Sequence, residues 1–185
     1  PFESVGSEIQ EEFMPPFFVK PAAEEGSWGI EMIENLDDLQ STLKVALSNH
    51  DILVQEYLPG QEVAVTLFKD SKDKLHALPA TLVVPQKAAF YDHLSKRIPG
   101  RAVLHTPDRH NTVSEEAEAI ARGVYEELGC EGIVTVDMIA GDHLMDVLEI
   151  NTIPSFGGIS PLVHQLRAAG YHPSQILDEY IRASI

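Results

Sequence analysis

Apolar positions along this chain change their period several times, and each change marks an element. Phe17, Phe18 and Val19 form a short apolar run closed by Lys20 and Pro21, which reads as a buried strand. A loop with two glycines follows at 24–29, and 30–33 reads as a second strand. Leu36, Leu39, Leu43 and Leu47 recur at helical spacing, so a helix is expected over 36–47. Residues 51–58 read as a strand that runs into the Pro59-Gly60 turn. Residues 63–68 alternate as a strand, and 78–84 form another. The stretch 88–107 is polar and irregular, a long loop by composition. Thr112 and Glu115 have capping-box spacing. Ala117, Ile120, Ala121, Val124 and Leu128 then make one apolar helical stripe that Gly129 stops. A last helical region covers 162–169, breaks at Gly170 and resumes after Pro173. This order of elements predicts an α+β fold with largely antiparallel sheets rather than a doubly wound one.

Composition narrows the function. The 185 residues suffice for one large domain or a pair of lobes, and a hydrophobic content of 44% supports a core. The formal charge of −16 comes from 29 acidic and 13 basic residues, with no basic stripe, so neither nucleic acid nor an anionic membrane is an expected partner. Cys130 is the lone cysteine, which forbids an internal disulfide and fits a reducing, cytoplasmic setting. No targeting leader and no membrane-spanning run is evident.

The densest chemistry lies near the end of the chain. Asp137 precedes a Gly141-Asp142 turn, and Glu149-Ile150-Asn151-Thr152-Ile153-Pro154 follows it. Glu149 and Asn151 are two apart and share a strand face. His143 is the midpoint between Asp137 and Glu149, so these two carboxylates fall roughly opposite each other in a hairpin. Two carboxylates and an amide oxygen are hard ligands that suit Mg²⁺. Charges on a half-apolar sheet face are costly without a partner, which argues against decoration.

Four other features could carry chemistry, each with a plainer alternative. Lys20, ahead of the glycine-bearing loop, could meet a phosphate, or be a strand-end lysine before a turn. The run Gln55-Glu56-Tyr57-Leu58-Pro59-Gly60-Gln61-Glu62 could meet a purine and ribose, or be strand–turn–strand with solvated acids. Phe90, Lys96 and Arg97 could belong to a lid over phosphate, or to a solvated basic turn. Ser160, just ahead of a helix, could hold an anion, or be an ordinary N-cap.

Taken together, the order of these motifs from about Phe17 to the C-terminus resembles the ATP-grasp superfamily, and within it the D-alanine–D-alanine ligase group. The resemblance implies two lobes gripping ATP: residues 1–60 as the remainder of a central lobe, and 61–185 as the C-terminal lobe with the metal site. The group's N-terminal substrate domain would be absent. It also implies a ligase that makes a peptide or amide bond through an acyl phosphate, with ATP and Mg²⁺ (or Mn²⁺) as cofactors. The substrates would be amino acids or other small carboxylates and amines, and a homodimer is an allowed assembly. By the same resemblance, Lys20 and Ser27 would meet the nucleotide phosphates. Gln55, Glu56 and Leu58 would line the adenine slot, Glu62 would meet the ribose, and Phe90 would pack near the base. Lys96 would reach the transferred phosphoryl group, Asp137, Glu149 and Asn151 would hold the metals, and Ser160 would bind the carboxylate of the second amino acid.

The chain departs from that pattern in places. Thr135 stands where the group usually has an arginine poised over the tetrahedral intermediate, and a threonine supplies no guanidinium fork. Arg97 follows the loop lysine where an aromatic residue is typical, and Arg97 taking over the oxyanion role is one expectation. Ser155 replaces a glycine, Glu24 and Glu25 precede Gly26, and Trp28 follows Ser27. These changes leave room for a ligase of other amino acids or of a natural-product acid. A nucleotide-binding module without complete catalysis is the third reading.

Overall fold

The computed structural model describes residues 2–24, 26–47, 51–108 and 110–183. Pro1 and Glu25, the latter in the glycine-bearing loop, lie outside the described residues. The chain divides into two compact units, one of Pro1–Leu58 with Phe90–Leu94, the other of Pro59–Ala89 with Ser95–Ile185.

The first unit packs helices α1 (Phe2–Glu12) and α2 (Leu39–Ala46) on a three-stranded sheet in the order β2 (Glu31–Ile33), β1 (Phe17–Pro21), β3 (Ile52–Glu56). Both ladders are antiparallel. Phe17, Val19 and Ile33 meet Ile9, Leu39 and Leu43 in its core. The expected helix over 36–47 begins as a 3₁₀ turn at Leu36–Asp38, capped by Asn35, and becomes α-helical at Leu39. Helix α1 is an addition to the sequence reading.

The second unit is a six-stranded antiparallel sheet in the order β7 (Ala102–His105), β6 (Thr81–Pro85), β4 (Gln61–Lys69), β8 (Val134–Ala140), β9 (Met145–Asn151), with β5 (Leu75–Ala77) also on β4. Alternation along β4 and β8 divides the two faces. Val63, Val65, Leu67, Val134, Val136 and Met138 face Ala117, Ala121 and Tyr125 of α3 (Thr112–Glu127). Phe68, on the opposite face, packs with Leu162 and Leu166 of α4 (Pro161–Ala168) and Ile176 of α5 (Pro173–Ala183). Among the described residues, no helix is long and apolar enough to cross a membrane.

Three local expectations are corrected. The expected loop over 88–107 contains β7, which pairs with β6 from Leu82↔His105 to Pro85↔Ala102. The expected strand over 78–84 starts only at Thr81, because Pro79 has no N–H for a ladder, and β5 lies before it. The cap of α3 is Asn111, whose side chain accepts from the Val113 N–H at 2.9 Å, while Thr112 is already helical. The expected stops hold. Gly129 at φ 60° and Gly170 at φ 80° close α3 and α4. In each case the next N–H, from Cys130 or Tyr171, reaches back to Tyr125 or Leu166.

Candidate active site

The hairpin β8–β9 sets Asp137 directly opposite Glu149, and Thr135 opposite Asn151. This pairing depends on a bulge. Near the loop the ladder runs Ala140↔Met145, Ile139↔Asp146, Met138↔Val147. Continued unbroken, that register would put Leu148 opposite Asp137. One extra residue on β9 advances the ladder and brings Glu149 into place instead. A one-residue slip exchanges the two faces of a strand, so the bulge decides whether β9 offers a carboxylate or a leucine here.

Strand β4 adds to the same face. Ala64 pairs with Asp137 and Thr66 with Thr135, so Glu62, two residues before Ala64, projects on the Asp137 side. Gly60, just ahead of this strand, is pressed against β8, where an added Cβ would meet the Ala140 carbonyl oxygen at 2.5 Å. Burial pushes the Glu62 carboxyl up to about 8; Asp137 and Glu149 add to the rise and Lys96 opposes it. Asp137 is pushed up to about 6, again by burial first, with Lys96 opposing and Glu149 adding. The cluster thus crowds three carboxylates around one ammonium, an arrangement that is uncomfortable when all are ionised.

That crowding suits a bound cation. A hard divalent ion would relieve both repulsion and desolvation, and Asp137 and Glu149 are oxygen donors placed side by side. Among the described residues, no three His, Cys, Asp or Glu side chains converge as a metal cage on their own. An ion here would complete its shell from an amide or from substrate oxygens. Asn151 Oδ1 accepts from the Ile153 N–H at 3.0 Å, which leaves its second lone pair for a ligand.

Lys96 is half-buried and close enough to act on both shifted carboxyls. Arg97 is exposed. Ser160 caps α4: its Oγ accepts from the Val163 N–H at 3.3 Å. Capping uses a lone pair, so the hydroxyl proton stays available to an anion, and the two readings of Ser160 are compatible. Thr135 is buried and hydrogen-bonded to Thr66, Oγ1 to Oγ1, at 2.8 Å. Ser155 Oγ accepts from the Gly157 N–H, holding the turn after the signature.

In the first unit, Lys20 and Phe18 share the sheet face opposite Phe17 and Val19. Gln55 pairs with Phe18 and shares that face, whereas Glu56 pairs with Phe17, so its side chain lies on the other face and only its backbone can serve Phe18's side. Phe90 stands edge-on to Phe18 at 5.1 Å between centroids, and Tyr57 tilts toward Phe18 at 6.1 Å. Leu58 follows half-buried. Sequence reasoning missed Phe18 as the ring that both Tyr57 and Phe90 approach; its contact with Phe90 spans 72 positions. Ser27 adopts φ 59° between Gly26 and Gly29, and its Oγ donates to the Tyr91 carbonyl at 3.1 Å. His93 Nδ1 lies 3.2 Å from the Gly26 carbonyl, so the glycine loop and Phe90–Leu94 are tied twice.

Antiparallel sheets with a carboxylate-bearing hairpin of this kind define an ATP-grasp fold. Solved structures agree. The VanG D-Ala:D-Ser ligase of Enterococcus faecalis superposes with a TM-score of 0.79 at 26% identity, over 99% of this chain and 53% of that one. A Bacillus anthracis D-alanine–D-alanine ligase solved with ATP gives 0.73 at 25% identity, over 96% and 56%. The family described as D-ala D-ala ligase C-terminus matches residues 3–182, and this chain belongs to it. A D-alanine–D-alanine ligase of Prosthecochloris aestuarii is 31% identical over 187 residues, covering 99% of this chain and 51% of the relative. One of Azobacteroides pseudotrichonymphae is 30% identical over 171 residues, covering 91% and 52%. The chain spans about half the length of the curated relatives it matches.

Proposed function

We propose that this chain is the ATP- and Mg²⁺-binding portion of a carboxylate–amine ligase that forms an amide bond through an acyl phosphate, like D-alanine–D-alanine ligase. The observation that carries this is the Asp137–Glu149 pair in register on one sheet face, with Glu62 and Lys96 acting on it electrostatically. Asp137 and Glu149, with Asn151, would hold Mg²⁺, which when bound neutralises charge on the phosphates. Lys96 is the cation for the transferred phosphoryl group. Ser160 donates a hydrogen bond from its hydroxyl to the carboxylate of the second amino acid. Phe18, Tyr57 and Phe90 offer the base its aromatic surface, with Gln55 on the same side. Lys20 and Ser27 serve the phosphates, and Glu62 the ribose. The B. anthracis ligase solved with ATP supports the nucleotide assignment. Small-molecule substrates, without nucleic acid or membrane, agree with the acidic charge of −16. A cytoplasmic setting and a homodimer belong to the same proposal.

A second reading is favoured by one observation. Thr135 is buried against Thr66, so this position of the metal face carries a neutral hydroxyl pair rather than a cation. That supports a ligase whose substrates differ from D-alanine. The test is ADP release from ATP and Mg²⁺ over a panel of amino-acid pairs, run on the longest natural polypeptide that carries this chain. Release that needs both a carboxylate and an amine supports ligation, and the best pair distinguishes the two substrates. Nucleotide binding with no turnover across the panel would instead mean a binding module.

A further inference from the structure

Helix α4 touches the sheet through two hydrogen-bond links that end on the same cross-strand row. Gln165 is fully buried, and its Nε2 donates to the Ala64 carbonyl at 2.6 Å. His164, the next residue, places Nε2 3.0 Å from Thr106 Oγ1, which is 3.1 Å from Thr81 Oγ1. Thr81 pairs with Ala64, Ala64 with Asp137, and Asp137 with Glu149. Both links therefore land on the row Thr81–Ala64–Asp137–Glu149, which crosses four strands and carries the two metal carboxylates.

Gln165 is an odd residue for a core position. Its neighbours Leu162, Val163 and Leu166 are apolar and buried, as a packed helix face requires. Its Oε1 is buried with no hydrogen-bond partner. An unpartnered buried acceptor is unfavourable, so an apolar residue of similar shape would serve stability better. What the amide does make, the bond to the Ala64 carbonyl, is a link of geometry rather than of folding energy.

We infer that Gln165, supported by His164, is a positioning residue that pins α4 to the metal-carboxylate row and so fixes the Ser160 end of the helix relative to Asp137. The inference rests on the proposed metal site, and on Ser160 as the anion-binding end. A structural role and a positioning role part company on one substitution, Gln165→Met, which keeps the volume, removes the unpartnered oxygen and deletes the link to Ala64.

The experiment pairs thermal unfolding with Mn²⁺ binding in the presence of ATP, read by electron paramagnetic resonance of the free ion. Asp137→Ala serves as the metal-site control and Leu166→Ala as a purely structural one. Gln165→Met should melt no lower than wild type yet bind Mn²⁺ about tenfold more weakly, the low end of what losing a group that supports metal ligands costs. Thr106→Val should weaken binding through the second link. Leu166→Ala should melt lower with Mn²⁺ affinity unchanged. Unchanged affinity in Gln165→Met, or weakening that merely tracks melting temperature as in Leu166→Ala, would overturn the inference while leaving the metal site standing. Wild type that binds no more Mn²⁺ than Asp137→Ala would overturn the metal reading itself, and the inference with it.

Discussion

Glu62→Gln should make the metal-free protein more stable, with an effect that grows with pH. The Glu62 carboxyl titrates at about 8 rather than at its ordinary 4.5, chiefly through burial and then through Asp137. The folded state therefore holds a proton that the unfolded state releases. Stability conferred by that proton is complete below 4.5 and is lost as pH rises through 8. By pH 7 the loss is on the order of 3 kcal/mol. Glutamine carries no charge at any of these pH values, but it brings an amide N–H that must find a partner, at about 1 kcal/mol. The expected net gain near pH 7 is about 1–2 kcal/mol, or roughly 2–8 °C in melting temperature for a chain of this size. Calorimetric melting in EDTA at pH 5, 7 and 8 reads it directly. The gap between variant and wild type should be small at pH 5 and widest at pH 8. A variant that melts below wild type at pH 8, or a gap independent of pH, would refute the electrostatic account of this face.

Other outcomes follow from single contacts. Arg97→Ala should lower turnover far more than it raises the KM for ATP if Arg97 takes over the oxyanion role; equal effects on both would sink that idea. Thr135→Val alone should cost about 1–3 kcal/mol in urea unfolding by stranding Thr66, whereas Thr66→Val/Thr135→Val should recover most of it. Gly60→Ala should cost 2 kcal/mol or more, about the scale of an overpacked core site, because its Cβ would strike the Ala140 carbonyl and Ile139; a neutral result would show that β4 can draw back from β8.

Much of the fold is legible where the residues settle their own environment. Phe17 and Val19 in the first strand and Ala117 and Ala121 in the helical stripe are buried as their pattern predicts, whereas Leu128, expected at the end of that stripe, is exposed where the helix closes. The glycine stops after α3 and α4 are equally local, since only the helix's own carbonyls are involved. Strand β7 is different. Its exposure alternates along Ala102–His105 between half-buried and exposed, and a four-residue edge strand leaves little period to read. Helix α1 hides behind Gly6, Ser4 and Ser7, which lower helix propensity; Val5, Ile9 and Phe13 at four-residue spacing were its signal.

The site shows the same division. Opposition of Asp137 and Glu149 follows from the hairpin's length, yet the bulge that secures it has no sequence mark, because Leu148 looks like any strand residue. Gln165 reads as a solvent-facing helix residue until Ala64, 101 positions away, is found beneath it. The Thr66–Thr135 pair spans 69 positions, and neither threonine announces the other.

Asp137 and Glu149 are proposed to hold a divalent ion under a bound nucleotide. Calorimetric titration of ATP, with and without Mg²⁺, into the wild-type chain and into Asp137→Ala/Glu149→Ala tests it most directly. Wild type should bind saturably and more tightly with Mg²⁺, and the double variant should lose that dependence. Binding of equal strength in both proteins, indifferent to Mg²⁺, would contradict it.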